Sequence, residues 1–152
     1  MKNNEMLGPP VLAAEIFIVH SFHSDLKTYA DAQEFCETKA LNGFSSGRLF
    51  EPVTKSQNYQ VYSKSIGQFG GLKNIWIGIK REPWRSQYTS SGGILEYKNW
   101  HPGQPENDLH DCVHLFNAHW YNYDCNYKTF FICQFDQRPS IRPFPDYINP
   151  RI

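Results

Sequence analysis

The chain has no net charge, no apolar run long enough to cross a bilayer, no internal repeat and no closely spaced cysteine pair. Its 15 Lys plus Arg balance 15 Asp plus Glu. No field of one sign draws in a polyanion, and no basic cluster marks a nucleic-acid or membrane surface. No stretch approaches the ~18–20 apolar residues of a membrane span. The absence of C-x-x-C pairs removes zinc ribbons and thioredoxin-like redox sites. The four cysteines therefore read as two disulfides formed in an oxidising compartment, as in a secreted protein. Spacing alone does not choose their pairing. A Cys36 to Cys133 bond would constrain the unfolded chain by roughly 4–5 kcal/mol, and a Cys112 to Cys125 bond by about 3 kcal/mol.

The ends of the chain are weakly patterned. Residues 7–14 are mostly apolar, but Pro9 and Pro10 interrupt them and Glu15 stops them, which makes a poor signal peptide and leaves the route of secretion unread. Residues 1–14 are expected to be poorly ordered. Residues 137–152, rich in proline, are expected to form a flexible tail. The 15–136 segment between them is expected to form one domain, because a chain of 152 residues that is 40% hydrophobic and 16% aromatic can bury a real core.

Within that segment the pattern is α+β: two helices, followed by short strands and long loops. Residues 15–20 are β-branched and aromatic, as a first strand should be. Thr28 is a candidate N-cap for a helix with Tyr29, Ala32, Cys36 and Ala40 on one stripe. Thr54-Lys55-Ser56-Gln57 is a capping box, followed by Tyr59, Tyr62 and Ile66 on one face and by Gly67, Gly70 and Gly71. Residues 75–79 form an apolar strand in which Gly78 suggests a bend or a close backbone approach. Residues 81–93 read as loop, 96–100 as an exposed strand, and 112–116 and 129–133 as core strands.

In order along the chain stand the helix ending in Cys36, Gly47-Arg48-Leu49-Phe50-Glu51-Pro52, Trp76-Ile77-Gly78-Ile79, Asn99-Trp100, Pro102-Gly103-Gln104-Pro105, Asp111-Cys112-Val113, Trp120, Cys125 and Cys133-Gln134-Phe135. Together they resemble the short-form C-type lectin-like domain family over about residues 15–136. The resemblance implies disulfides Cys36–Cys133 and Cys112–Cys125. It also implies a long loop that, in sugar-binding members, holds calcium and reads neighbouring sugar hydroxyls. The family's Gln-Pro-Asp motif for galactose-type sugars falls on Gln104-Pro105-Glu106, and a cis peptide before Pro105 is cheap, at about 0.5–1 kcal/mol.

The other implied ligand positions depart from that pattern. A family glutamate falls on His110, and the Asn-Asp pair after the tryptophan falls on Tyr121 and Asn122. Only Glu106 keeps a carboxylate, whereas calcium takes about 6–8 oxygen ligands and binds more tightly as their charge rises. Calcium is therefore expected to bind weakly, differently or not at all. Its candidate ligands are Glu106, Asn122 and Asp108, and a shifted loop could recruit Asp111 and Asp124. The simpler roles are a loop-fixing bond for Asp111 and a solvated turn for Asp124.

Candidate sugar contacts are Gln104, Glu106, His110, Tyr121, Asn122 and Trp84. Trp84 stands in a loop where an indole can stack on a sugar or anchor a protein contact. Trp76, Trp100 and Trp120 fall at core positions. Tyr121 and Tyr123 suit a stacking wall, or else simply fall on alternate strand faces. His101, His110, His114 and His119 crowd one region but match no compact zinc motif, with His114 in a strand and His119 in a turn, so they read as loop and surface histidines. No fixed nucleophile is evident, which argues against an enzyme. Two functions follow. The first is carbohydrate binding, with a glycan or glycoprotein partner. The second is a lectin-like module that has lost sugar binding and takes a protein ligand.

Overall fold

The computed structural model describes residues 17–39, 47–106 and 109–137. The expected N-terminal segment, Ala40, Asp108 and nearly all of the tail lie outside the described residues. Strand β1 (Phe17–Lys27) pairs antiparallel with the last strand, β8 (Thr129–Gln137), from Phe17 opposite Gln137 to His23 opposite Phe131. This pairing brings the two ends of the described fold side by side. The first strand runs well beyond residue 20.

Helix α1 (Tyr29–Thr38) starts where Thr28 accepts from the Asp31 amide at 3.2 Å, and it buries Tyr29, Ala32 and Cys36. The Cys36–Cys133 disulfide fastens that buried stripe to β8. Strand β2 (Gly47–Leu49) lies on the other side of β8 from β1's ladder and pairs antiparallel with it. Helix α2 (Lys55–Phe69) begins with Thr54 accepting from the Gln57 amide at 3.1 Å, and the Gln57 side chain accepts in return from Val53 N at 3.0 Å. Gly70, at φ 76°, ends it in the left-handed conformation that glycine adopts without penalty. The buried face of α2 differs from the expected one. Asn58, Val61 and Ser65 are buried, whereas Tyr59 and Ile66 remain 36% and 38% exposed. The helix is rotated so that a polar residue, Asn58, enters the core.

Strand β3 (Ile75–Lys80) is central, parallel to β8 and antiparallel to β4 (Thr89–Ser90) and β6 (Cys112–Phe116). Its uninterrupted apolar run follows from burial on both faces. Ile75, Ile77 and Ile79 join Phe50, Val61, Val113, Leu115, Trp120 and Ile132 on one side. Trp76 meets Tyr29, Leu49, Phe131, Cys133 and Phe135 on the other. The close approach expected at Gly78 is present: a Cβ there would lie 2.7 Å from the Leu49 carbonyl oxygen, and the Gly78 amide donates to Phe50 O at 2.7 Å.

Strand β5 (Gly93–Ile94) pairs with β4, and β6 turns directly into β7 (His119–Tyr123). The two turn residues, Asn117 and Ala118, both have positive φ (51° and 72°), the geometry that matches strand twist in a tight hairpin. His119 therefore opens β7 instead of lying in the turn. The Cys112–Cys125 disulfide ties the base of the hairpin. Residues 96–100 do not form the expected strand. Only a parallel bridge between Trp100 and Trp120 forms, flanked by Trp120 N to Asn99 O at 2.9 Å and His101 N to Trp120 O at 3.0 Å. The long loop is thereby laid along β7 for a few residues.

Candidate functional site

Alternation along β7 sorts its side chains. Trp120 and Asn122 turn inward and are buried, while His119, Tyr121 and Tyr123 share the outer face. Tyr121 and Tyr123 thus form one wall and do not fall on alternate faces. The loop returns over Asn122 at Gln104-Pro105-Glu106, where the Gln104–Pro105 peptide is cis.

Asn122, only 2% exposed, organises this region. Its backbone amide donates to Gln104 Oε1 at 3.0 Å, and its Oδ1 accepts from the Glu106 amide at 3.0 Å. Its Nδ2 donates to the Glu106 carbonyl at 2.8 Å, the His110 carbonyl at 3.2 Å and the Tyr88 hydroxyl at 3.2 Å. Tyr88 in turn donates to His110 O at 2.7 Å. Gln104 and Glu106 therefore converge on one point, the first through its side chain and the second through its backbone. Nearby, Arg81 holds Asp111 through Nε at 2.9 Å and Nη2 at 2.8 Å, the loop-fixing role expected of that aspartate. Asp124 accepts from the Asn126 amide at 2.9 Å within a turn.

This arrangement bears on calcium. Among the described residues, no three His, Cys, Asp or Glu groups converge as a metal cage. Of the candidate ligands, Asn122 is committed to the loop, Asp108 lies outside the described residues, and Glu106 is left as the one described carboxylate. Asp111 and Asp124 are held elsewhere. The described side chains do not by themselves supply the about 6–8 oxygens that calcium takes.

A cavity of about 340 Å³ opens beside the loop, lined by Gln104, Glu106 and Asn122 together with Phe116, Tyr121 and Tyr123. His114, 5% exposed, also lines it, and its Nδ1 has no hydrogen-bond partner. Burial lowers its pKa from 6.5 to about 4, so the imidazole is neutral at physiological pH. It is a core histidine, contrary to the surface reading. Its ring stacks with Tyr121 at 5.6 Å and meets Tyr123 edge-on at 5.0 Å. His110 stacks with Tyr123 at 6.0 Å. The cavity lining thus combines polar groups with aromatic rings, a combination suited to a ligand with hydroxyls and an apolar face.

Trp84 is 76% exposed and does not line this cavity. The structure separates it from the other candidates. Two participants escaped the sequence reading, Tyr88 and His114. Tyr88 stands in a Ser- and Gly-rich segment with no periodic signal, and the pattern that places His114 on a strand carries no sign of the cavity beside it.

The described fold has counterparts among known proteins. A family model described as "Lectin C-type domain" matches residues 25–135. Human lithostathine-1-beta is 28% identical over 123 residues, spanning 75% of this chain and 69% of that one. Salivary C-type lectin 2 of Aedes albopictus is 26% identical over 127 residues, spanning 76% and 82%. The solved structure of human lithostathine superposes with a TM-score of 0.68 at 27% identity, covering 78% of this chain and 91% of the other. With the family match running through most of the chain and both disulfides formed, this protein belongs to the C-type lectin domain family.

Proposed function

We propose that this domain is a secreted carbohydrate-binding protein that recognises galactose-type sugars at the Gln104-Pro105-Glu106 loop, with little or no dependence on calcium. The observation that carries this reading is the Asn122 network, in which Gln104 Oε1 and Asn122 Oδ1 already accept backbone amides. A loop held by its own hydrogen bonds needs no ion to keep its shape. The Glu106 carboxylate and the Tyr121 and Tyr123 rings then provide the ligand contacts, with His110 beside them. Both disulfides fit an extracellular protein. The test is a glycan array read first in millimolar calcium and then in chelator. Galactose-terminated glycans should be retained in both, and an array empty in both conditions would sink the proposal. Binding seen only with calcium would sink its calcium-independent part.

A second reading rests on Trp84, an indole 76% exposed on a loop apart from the cavity. Exposed tryptophans are common anchors of protein interfaces. In that case the domain takes a protein ligand in chelator, and Trp84→Ala abolishes capture. An unchanged affinity in that variant would reject it.

A further inference from the structure

We infer that His101 and His119 form a two-histidine site for a borderline divalent metal ion of the zinc and copper class, on the outer face of the long loop. The backbone puts them there. The Trp100–Trp120 bridge and the bond from His101 N to Trp120 O align the loop with β7. Trp120 points into the core, so its neighbours His119 and Tyr121 emerge on the opposite face beside His101.

The two rings lie close enough to share one ion. The His101 and His119 centroids are 5.7 Å apart with planes at 89°. A metal–nitrogen bond of about 2.0–2.1 Å, plus about 1.1 Å from nitrogen to ring centre, puts each centroid about 3.2 Å from a shared ion, so two rings on a tetrahedral ion sit about 5.2 Å apart. The observed spacing matches a shared ion at a somewhat wider angle once both Nε2 atoms face it. Tyr121 stacks on His101 at 4.9 Å and 21°, which holds the ring in place.

The protonation pattern also fits. His101 Nδ1 lies 3.0 Å from the Pro102 carbonyl, and His119 Nδ1 lies 3.1 Å from the Asn117 carbonyl. A carbonyl only accepts, so each Nδ1 is the donor, and the tautomer this selects has its lone pair on Nε2. Backbone carbonyls fix metal-ligating histidines in the same way, orienting the ring and raising its basicity. Imidazole suits zinc and copper, whereas calcium prefers oxygen. Among the described residues no third His, Cys or carboxylate completes a cage. Water fills the remaining positions, and the ion is exchangeable.

The test titrates zinc chloride into the metal-free full chain with millimolar calcium present, followed by calorimetry and by imidazole proton–nitrogen correlation spectra. One zinc per chain should bind, with the His101 and His119 Nε2 signals moving and those of His110 and His114 staying in place. His101→Gln and His119→Gln should each weaken binding at least about tenfold, and His110→Gln should leave it unchanged. The proposal is overturned if millimolar zinc does not bind, if other histidines carry the shift, or if the double variant binds as the wild type does. The wild-type spectra decide the matter even where a variant fails to fold.

Discussion

The indole Nε1 of Trp120 donates to Asn58 Oδ1 at 2.8 Å, joining residues 62 positions apart, and both are fully buried. The same Asn58 amide donates through Nδ2 to the Ala118 carbonyl at 2.9 Å, where Asn99 Nδ2 also donates at 2.6 Å. One buried amide thus fixes α2 to the hairpin that carries Asn122, while Asn99 brings the start of the long loop to the same carbonyl. The candidate site takes its position from this joint.

Replacing Asn58 by Ala should therefore be costly. It leaves the buried indole N–H without a partner and removes a second hydrogen bond, for an expected loss of about 2–4 kcal/mol. Urea unfolding followed by far-UV circular dichroism measures it. A loss below about 0.5 kcal/mol, the level of an ordinary surface substitution, would show that the joint does not hold the hairpin.

This joint also marks where the sequence stopped being readable. The cysteines, the caps at Thr28 and Thr54 and the apolar runs of β3, β6 and β8 all carry local signals, and each appears in the structure. Asn58 is polar, and a pattern that sorts apolar from polar turns it outward. Its partner lies on a distant strand, so nothing local reveals its burial. Residues 96–100 failed for a related reason. Their alternation resembles a strand, but only Trp100 has a strand partner, because the loop leaves β7 at once. At the site, Gln104 and Asn122 are candidates by type and position, but the bond between them depends on the loop folding back over β7, which no local signal encodes.

Trp84 is expected to be the tryptophan that solvent quenchers reach most readily. Trp76 and Trp120 are 0% exposed and Trp100 is partly buried under Tyr88 and Trp120. Trp84→Phe should remove most of the acrylamide-quenchable fluorescence, blue-shift the remaining emission and leave stability within about 0.5 kcal/mol. Unchanged quenching would mean that Trp84 is covered in solution.

His114 should make the fold acid-sensitive. Its pKa is about 4 when folded, against 6.5 in an unfolded chain, and the cause is burial. Above pH 6.5 both states are neutral and this group adds no pH dependence. Between pH 6.5 and 4 the unfolded chain takes up a proton that the folded one refuses, so stability falls by about 1.4 kcal/mol per pH unit, up to on the order of 3 kcal/mol. His20, also lowered to about 4 by burial and then by Lys64, acts in the same direction, less strongly because it is partly solvated. Denaturant melts at pH 7 and pH 4.5 should show that His114→Phe flattens this dependence. Equal slopes for wild type and variant would contradict a neutral, buried imidazole.

The most discriminating substitution at the candidate site is Asn122→Asp, which restores the carboxylate that the family pattern has at this position. Here Nδ2 of the native asparagine faces the carbonyls of Glu106 and His110 at 2.8 and 3.2 Å. An aspartate oxygen would set negative charge against two acceptors in a buried place and discard the hydrogen bonds that the two Nδ2 protons donate. The expected cost is roughly 3 kcal/mol or more. Without other carboxylates converging on it, calcium should not recover the loss. Melting temperatures in chelator and in millimolar calcium give the answer: both should fall well below wild type and agree with each other. A variant that calcium returns to wild-type stability would show that the loop still closes around an ion, and the hydrogen-bonded account of its shape would have to be abandoned.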